Sequence, residues 1–324
     1  MHAPTQMWKY ELAQATAIYI SHQHSDHLSP QTLRVLAQVN PNVLILIPDL
    51  QNTRMDKIIL SSGMKNIVRL LFGVWHDFGI GARCMILRDA LFDDLDSMLL
   101  VDYCGHLVIN TVDCNRPNGE ILPCENADLL VTDFAGGASS FPQCWFDMIS
   151  DEKSREMMRH SAAKCRAKCS KLARITHPGL YVPFAGYFCP ARDPKVEERM
   201  VINSVQDVLD SVRRAVPGIK TWAPCVGGLV DIPSGAVLRE GYESYKSTWD
   251  FDRYTKVFKE SLQVPQAEQF DFVEEYVRWA FNDANRFRDN LVVHVIECDE
   301  EFDRVYREYT MDLSNGTVFP SPKT

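Results

Sequence analysis

The chain has 324 residues, 46% hydrophobic and 24% charged, with a formal net charge of −9 and a pI near 5.5. This is globular composition, enough for one large domain with additions or for two, and its acidity disfavours nucleic acid or an anionic membrane as a partner. No run approaches about 18 apolar residues, so no membrane span is expected. The polar and charged start, Met1 to Gln14, lacks the apolar core of a signal peptide, which predicts a cytosolic protein. Its ten cysteines are then expected as free thiols.

Leu12 to Ile20 enters a strand that ends on the apolar run Ala17-Ile18-Tyr19-Ile20. Directly after it stands Ser21-His22-Gln23-His24-Ser25-Asp26-His27, read as His-x-His-x-Asp-His. Imidazole and carboxylate are the ligands that first-row metals prefer. Four of them in six residues, on a loop held by a buried strand, can converge on one or two ions. The competing reading is a solvated polar loop.

Ser29-Pro30 supplies an N-cap and a first-turn proline for a helix through about Val39. Val43 to Ile47 is a continuous apolar run that suits a buried parallel strand. Short strands are predicted at Ile67 to Leu71, Cys84 to Leu87, Met98 to Tyr103 and Leu107 to Val112, the last two joined at a hairpin turn through Cys104-Gly105-His106. Asp113 follows the second of these. Asp128 to Val131 is another strand leading to an acid, Asp133, and then to the flexible loop Ala135 to Ser140. Ser150 to Leu172 reads as a basic helix, in which Cys165 and Cys169 are helix-face thiols, not a metal clip. Leu180 to Phe184 is a strand, and Val196 to Val216 a helix stopped by Pro217-Gly218.

From about Tyr242 the composition turns aromatic and acidic. Asp250 to Leu262 and Glu268 to Phe281 read as amphipathic helices, and Leu291 to Glu297 as a strand. The expected division is therefore a main domain over 1–241 and an α+β addition over 242–324, packed on it. Strands that deliver acids and histidines at their C-terminal ends, with helices outside, imply an α/β protein of αββα layering with its site along one sheet edge.

The opening motif resembles that of the metallo-β-lactamase fold. The resemblance implies that His22 and His24 hold one metal, that Asp26 and His27 serve a second, and that Asp113 is the acid bridging them. Asp133 stands where a further acid often follows a strand. Two other histidines of that superfamily have no clear counterpart, because His76 and His177 do not leave strands. Asp89 is then the candidate oxygen ligand in their place, and a carboxylate-rich set suits iron or manganese at least as well as two zinc ions.

Three longer strings are more specific: Thr111-Val112-Asp113-Cys114-Asn115-Arg116-Pro117-Asn118-Gly119, Asp133-Phe134-Ala135-Gly136-Gly137-Ala138-Ser139 and Pro183-Phe184-Ala185-Gly186-Tyr187-Phe188. With Trp249-Asp250-Phe251 they resemble the CMP-N-acetylneuraminate hydroxylase family, over roughly residues 16 to 310. The resemblance implies a monooxygenase that turns the N-acetyl group of CMP-N-acetylneuraminate into N-glycolyl with one oxygen atom of O2. It implies iron at the site and electrons from NADH by way of cytochrome b5 and its reductase.

Family members relay those electrons through an N-terminal Rieske domain. Its 2Fe–2S cluster needs two Cys/His ligand pairs, which this sequence does not supply together. The cluster is not expected here, and little or no turnover by this chain alone is. Arg116 suits a phosphate or sialate carboxylate, with Asn118 beside it. The Gly136-Gly137 loop offers backbone N–H groups for the same anions, and Tyr187 a ring to stack on cytosine. A surface salt bridge for Arg116 and plain packing for Tyr187 are the competing readings. So are a metal-dependent hydrolase of the same fold and a homologue that only binds the sugar nucleotide.

Overall fold

The computed structural model describes residues 12–24, 26–51, 53–79, 81–91, 95–134, 148–185, 201–224 and 227–240, and the backbone of three strands between 292 and 320. The chain forms two units, Met1–Trp249 and Asp250–Thr324.

In the first unit, β1 (Ala17–Tyr19) leads to α1 (Pro30–Val39), β2 (Leu44–Pro48), α2 (Arg54–Ser61) and β3 (Ile67–Leu70). Ser29 caps α1 by accepting the Thr32 N–H, and Pro30 opens the helix, as its fixed φ allows. The three strands make a parallel sheet in the order β1-β2-β3. A second sheet gathers β4 (His76–Asp77), β5 (Ala82–Arg88), β6 (Ser97–Tyr103), β7 (His106–Asn110), β8 (Leu129–Asp133), β9 (Leu180–Phe184) and β10 (Lys220–Thr221). Their order is β10-β9-β8-β7-β6-β5-β4. From β4 to β7 the pairing is antiparallel, and from β7 to β10 it is parallel. Two of the three parallel steps cross over through helices, β8 to β9 through α3 (Asp151–Thr176) and β9 to β10 through α4 (Val205–Ala215).

Side-chain alternation converts these strands into four layers. On β2, Ile45 and Ile47 face α1 and α2, where they meet Leu33, Leu36, Met55 and Ile59. Leu44 and Leu46, one residue out of phase, face Cys84, Ile86, Leu99 and Val101 of the second sheet. On β5 the same switch turns Met85 and Leu87 outward with Leu100, Leu130 and Tyr181, against Cys169 and Leu172 of α3 and Val208 and Val212 of α4. The layers run helix, sheet, sheet, helix, as the sequence implied. Because β2 is buried on both faces, its run is continuously apolar instead of alternating.

The β6–β7 connection is a two-residue turn. Cys104 and Gly105 take φ of 52° and 87°, and Tyr103 pairs with His106. Cys104-Gly105-His106 is the one Cys-x-His string of the chain, and here it is this turn, with His106 Nδ1 set 3.3 Å from Asp128. The α4 helix is shorter than anticipated. Ser204 and Asp207 form a capping box that fixes its start, residues 201–204 are not helical, and 196–200 lie outside the described residues. A small hairpin, β11 (Leu229–Asp231) and β12 (Ala236–Arg239), was not anticipated. Val230 and Ile232, with Trp222, cover Leu129, Leu180 and Val182.

In the second unit, β13 (Val292–Cys298), β14 (Val305–Asp312) and β15 (Thr317–Pro320) make an antiparallel sheet. The first of these matches the strand expected there. The helices expected at Asp250 to Leu262 and Glu268 to Phe281 lie outside the described residues, as does Trp249-Asp250-Phe251.

Leu46, 5% exposed between the two sheets, is the position at which the layering can be tested. Leu46→Ala should cost about 2–5 kcal/mol in equilibrium urea unfolding, whereas Leu60→Ala, 55% exposed, should stay within about 0.5 kcal/mol of the parent. Equal costs would contradict the sheet-on-sheet core.

Candidate metal centre

The Ile20 N–H donates to the Leu46 carbonyl (2.9 Å), so the chain stays extended just past β1. Ser21 and His22 are thereby carried into the interior, His22 to 0% exposure. The chain then turns back. His27 N–H and Leu28 N–H both donate to the His24 carbonyl, at 3.0 and 2.7 Å. Leu28, 2% exposed, plugs this turn into the core beneath α1. The turn stacks the His27 ring against that of His22, centroids 4.1 Å apart, while the His24 ring meets His22 edge-on at 4.5 Å.

Asp113 arrives from the other sheet. The ladder of β7 runs on to the Thr111 N–H, which donates to the Val131 carbonyl (3.0 Å). Val112 then takes φ of 49°, a left-handed conformation costly for a β-branched residue. Its N–H is accepted by Asn110 Oδ1 (2.9 Å), which holds the bend from within. Past that bend, Asp113 Oδ2 lies 3.2 Å from His27 Nε2 and 3.9 Å from His22 Nε2. The donor atoms of His22, His27 and Asp113 all lie within 4.8 Å of one another.

Of the other predicted ligands, His24 sits at the edge of this group, its Nδ1 2.8 Å from His22 Nε2. Two ring nitrogens at that separation require a proton or a cation between them. Asp26 reaches to 3.7 Å from His27 Nε2, with its side chain 66% exposed. Donor type, spacing and this nitrogen pair all fit a transition-metal ion.

Charge is distributed accordingly. Burial opposes a charged His27, but the hydrogen bond and charge of Asp113, with Asp26 and Asp96 further off, outweigh it and hold the imidazole above its usual range. The hydrogen bond from His27 and the charges of His27, His22 and Lys168 hold the Asp113 carboxyl below the usual range, against the effect of burial.

Two expected ligands have other duties. Asp89 is fully buried, and its carboxylate accepts the N–H groups of Leu91 (3.1 Å), Asn115 and Arg116 (both 3.0 Å). It is the anchor of the loop after Asp113 and stands outside the donor cluster, because backbone donors take up its oxygens. Asp133 at the exit of β8 is ion-paired with Lys168 of α3, which also donates to the Cys114 carbonyl (3.3 Å). Burial pushes the Asp133 carboxyl up against the pull of Lys168. Burial alone would pull the Lys168 ammonium down, but the Asp133 charge reverses this and holds it above its usual range. The Cys165 and Cys169 thiols lie on the same helix face and are free.

The Arg116 side chain is exposed and forms no ion pair among the described residues, whereas its backbone is fixed by Asp89. The Asn118 amide donates to the Ile121 carbonyl (2.6 Å), so that nitrogen closes its own turn instead of reaching a ligand. Gly136, Gly137 and Tyr187 lie outside the described residues. Sequence reasoning passed over three polar residues of this region: Ser21 and Asp96, which lie behind the histidines, and Lys168. The signal for Lys168 was its helical spacing with Cys165, Cys169 and Leu172, all buried.

No family model matches the chain. The cytidine monophosphate-N-acetylneuraminic acid hydroxylase of Mus musculus is 33% identical over 319 residues, spanning 93% of this chain and 54% of that protein. The hydroxylase of Asterias rubens is 33% identical, spanning 93% and 47%, and that of Sus scrofa 33% identical, spanning 93% and 71%. The chain therefore spans about half the length of the first two. Among solved structures, a variant of the β-hydroxylase CmlA aligns at 14% identity over 64% of this chain and 43% of its own, with a TM-score of 0.43. The metallo-β-lactamase fold protein YhfI from Bacillus subtilis aligns at 13% identity over 70% and 76%, with a TM-score of 0.41.

Lys168→Met should destabilise the fold by about 3–5 kcal/mol, since it strands a buried carboxylate. Adding Asp133→Leu should recover most of that loss in denaturant melts; a double variant no better than the single would show that the pair is not what holds α3 to β8.

Proposed function

The chain belongs to the CMP-N-acetylneuraminic acid hydroxylase family, and from that premise we propose that it is the metal-bearing half of such a hydroxylase, acting on CMP-N-acetylneuraminate. The observation that carries the proposal is the meeting of His22, His27 and Asp113 within 4.8 Å. Two imidazoles and one carboxylate are the donor set of mononuclear iron oxygenases, and iron is therefore proposed in preference to zinc. A bound iron would supply O2 activation and one-electron chemistry at that point.

The residues of the chain do the rest. His22 and His27 present their Nε2 atoms, and Asp113 supplies the anionic ligand. Arg116, one turn beyond Asp113, is proposed to take a phosphate or the sialate carboxylate, because its guanidinium is exposed while its backbone is fixed by Asp89. Gly136, Gly137 and Tyr187 are proposed to complete the sugar-nucleotide pocket. Electrons are proposed to come from NADH through cytochrome b5 and its reductase. Among those residues no helix is long and apolar enough to cross a membrane, and a cytoplasmic location is proposed.

A second reading draws on His24 and Asp26, which flank the trio at 2.8 and 3.7 Å. Five donors would accommodate two ions and suit hydrolysis of a phosphoester.

Elemental analysis of the purified protein and a titration with CMP-N-acetylneuraminate separate these readings. Iron with saturable binding is the expected result; two zinc ions with phosphodiesterase activity would replace the hydroxylase reading by the hydrolase one. Arg116→Ala should weaken that binding by roughly tenfold or more, in line with a charged hydrogen bond of about 1.5–3 kcal/mol, and an unaltered isotherm would remove Arg116 from the pocket.

A further inference from the structure

Behind the three ligands lies a buried polar layer that the proposed chemistry does not use. Asp96 stands at the entry of β6, 4% exposed. Its Oδ1 is 3.0 Å from His22 Nδ1 and has no other polar partner among the described residues. Ser21 Oγ lies 2.9 Å from the same Nδ1 and 3.4 Å from His27 Nδ1. Both residues are held in place. The Asp96 carbonyl accepts the Asp89 N–H (3.2 Å). Ser97, the next residue, is fully buried; it donates to the Ser21 carbonyl (2.8 Å) and meets the Tyr19 hydroxyl at 2.5 Å.

We infer that Asp96 is a positioning residue for the metal centre, its buried carboxylate holding the proton of His22 on Nδ1 so that Nε2 faces His27 and Asp113 as a free ligand. The inference rests on the metal reading above. A neutral imidazole carries one N–H, and its partner decides which nitrogen bears it. A buried carboxylate oxygen without a donor is costly, and His22 Nδ1–H is the donor within reach. The Ser21 hydroxyl lies behind both rings, 2.9 Å from His22 Nδ1 and 3.4 Å from His27 Nδ1, on the side away from their Nε2 atoms. Carboxylates that orient metal-bound histidines in this way raise ligand basicity and fix ring angle. The Tyr19–Ser97–Ser21 chain ties this support to both sheets, so the orientation is set by the framework before any ion arrives.

The test uses the full chain and cobalt(II), with chelator competition for affinity, nitrogen-15 correlation spectra of the metal-free protein for the His22 tautomer, and thermal melts of the same samples. Asp96→Ala should bind cobalt about 10–100-fold more weakly, show His22 spread over both tautomers, and melt close to the parent. Asp96→Asn, which keeps an acceptor oxygen without the charge, should fall between. Parental affinity in both variants would overturn the inference. So would an affinity loss that only tracks a lowered melt while His22 stays protonated on Nδ1. His22→Ala serves as the separate arm: full cobalt stoichiometry there would sink the metal reading itself, whatever Asp96 does.

Discussion

His27 and Asp113 meet at 3.2 Å, and they come from different sheets. His27 lies on the turn after β1, in the three-stranded sheet, and Asp113 on the bend after β7, in the seven-stranded one. Neither sheet holds the donor set alone. The group exists because Leu44 and Leu46 pack on Ile86, Leu99 and Val101, which brings the two strand exits to one edge. Apolar packing of about 25 cal/mol per Å² buried thus sets a polar geometry that its own residues take no part in.

Under the ligands the interior is polar and connected. Tyr19, Ser97, Ser21 and Asp96 span the seam between the sheets. Burial and neighbouring acids drive the Tyr19 hydroxyl far above its usual range, against the Ser97 hydrogen bond. It is a neutral strut there, since charge would have no outlet. On the far side of Asp113, Lys168 and Asp133 form a second buried anchor that reaches α3. The Asp113 carboxylate meets His27 and His22 directly and also feels the charge of Lys168.

Much of this was legible in the sequence, and the parts that were not share a cause. The His-x-His-x-Asp-His loop, the strand before it and the capped helix after it are local, and local chemistry specifies them: Ser29-Pro30 starts α1 whatever lies around it. Asp113 was legible because it follows a strand. Asp89 follows one too, yet the fold aims backbone N–H groups at it and so assigns it to the loop. Asp96, in a stretch with Asp93 and Asp94, carries no distinguishing mark until β6 is paired with its neighbours. Lys168 looked like one more cation on a basic helix, though its spacing already put it on the buried stripe. The start of α4 was misplaced because its apolar periodicity extends backwards past Ser204, where the capping box ends it.

Val112 gives the acid its direction by adopting a backbone region that L-residues avoid, with the Asn110 side chain closing the bend. The carboxylate therefore cannot be relocated as a single letter. Anyone grafting this centre onto another scaffold must transplant the whole tetrad from Asn110 to Asp113, together with a neighbouring strand to receive the Thr111 amide. A homologue whose chain is one residue longer or shorter at that corner would aim a perfectly good aspartate at empty solvent.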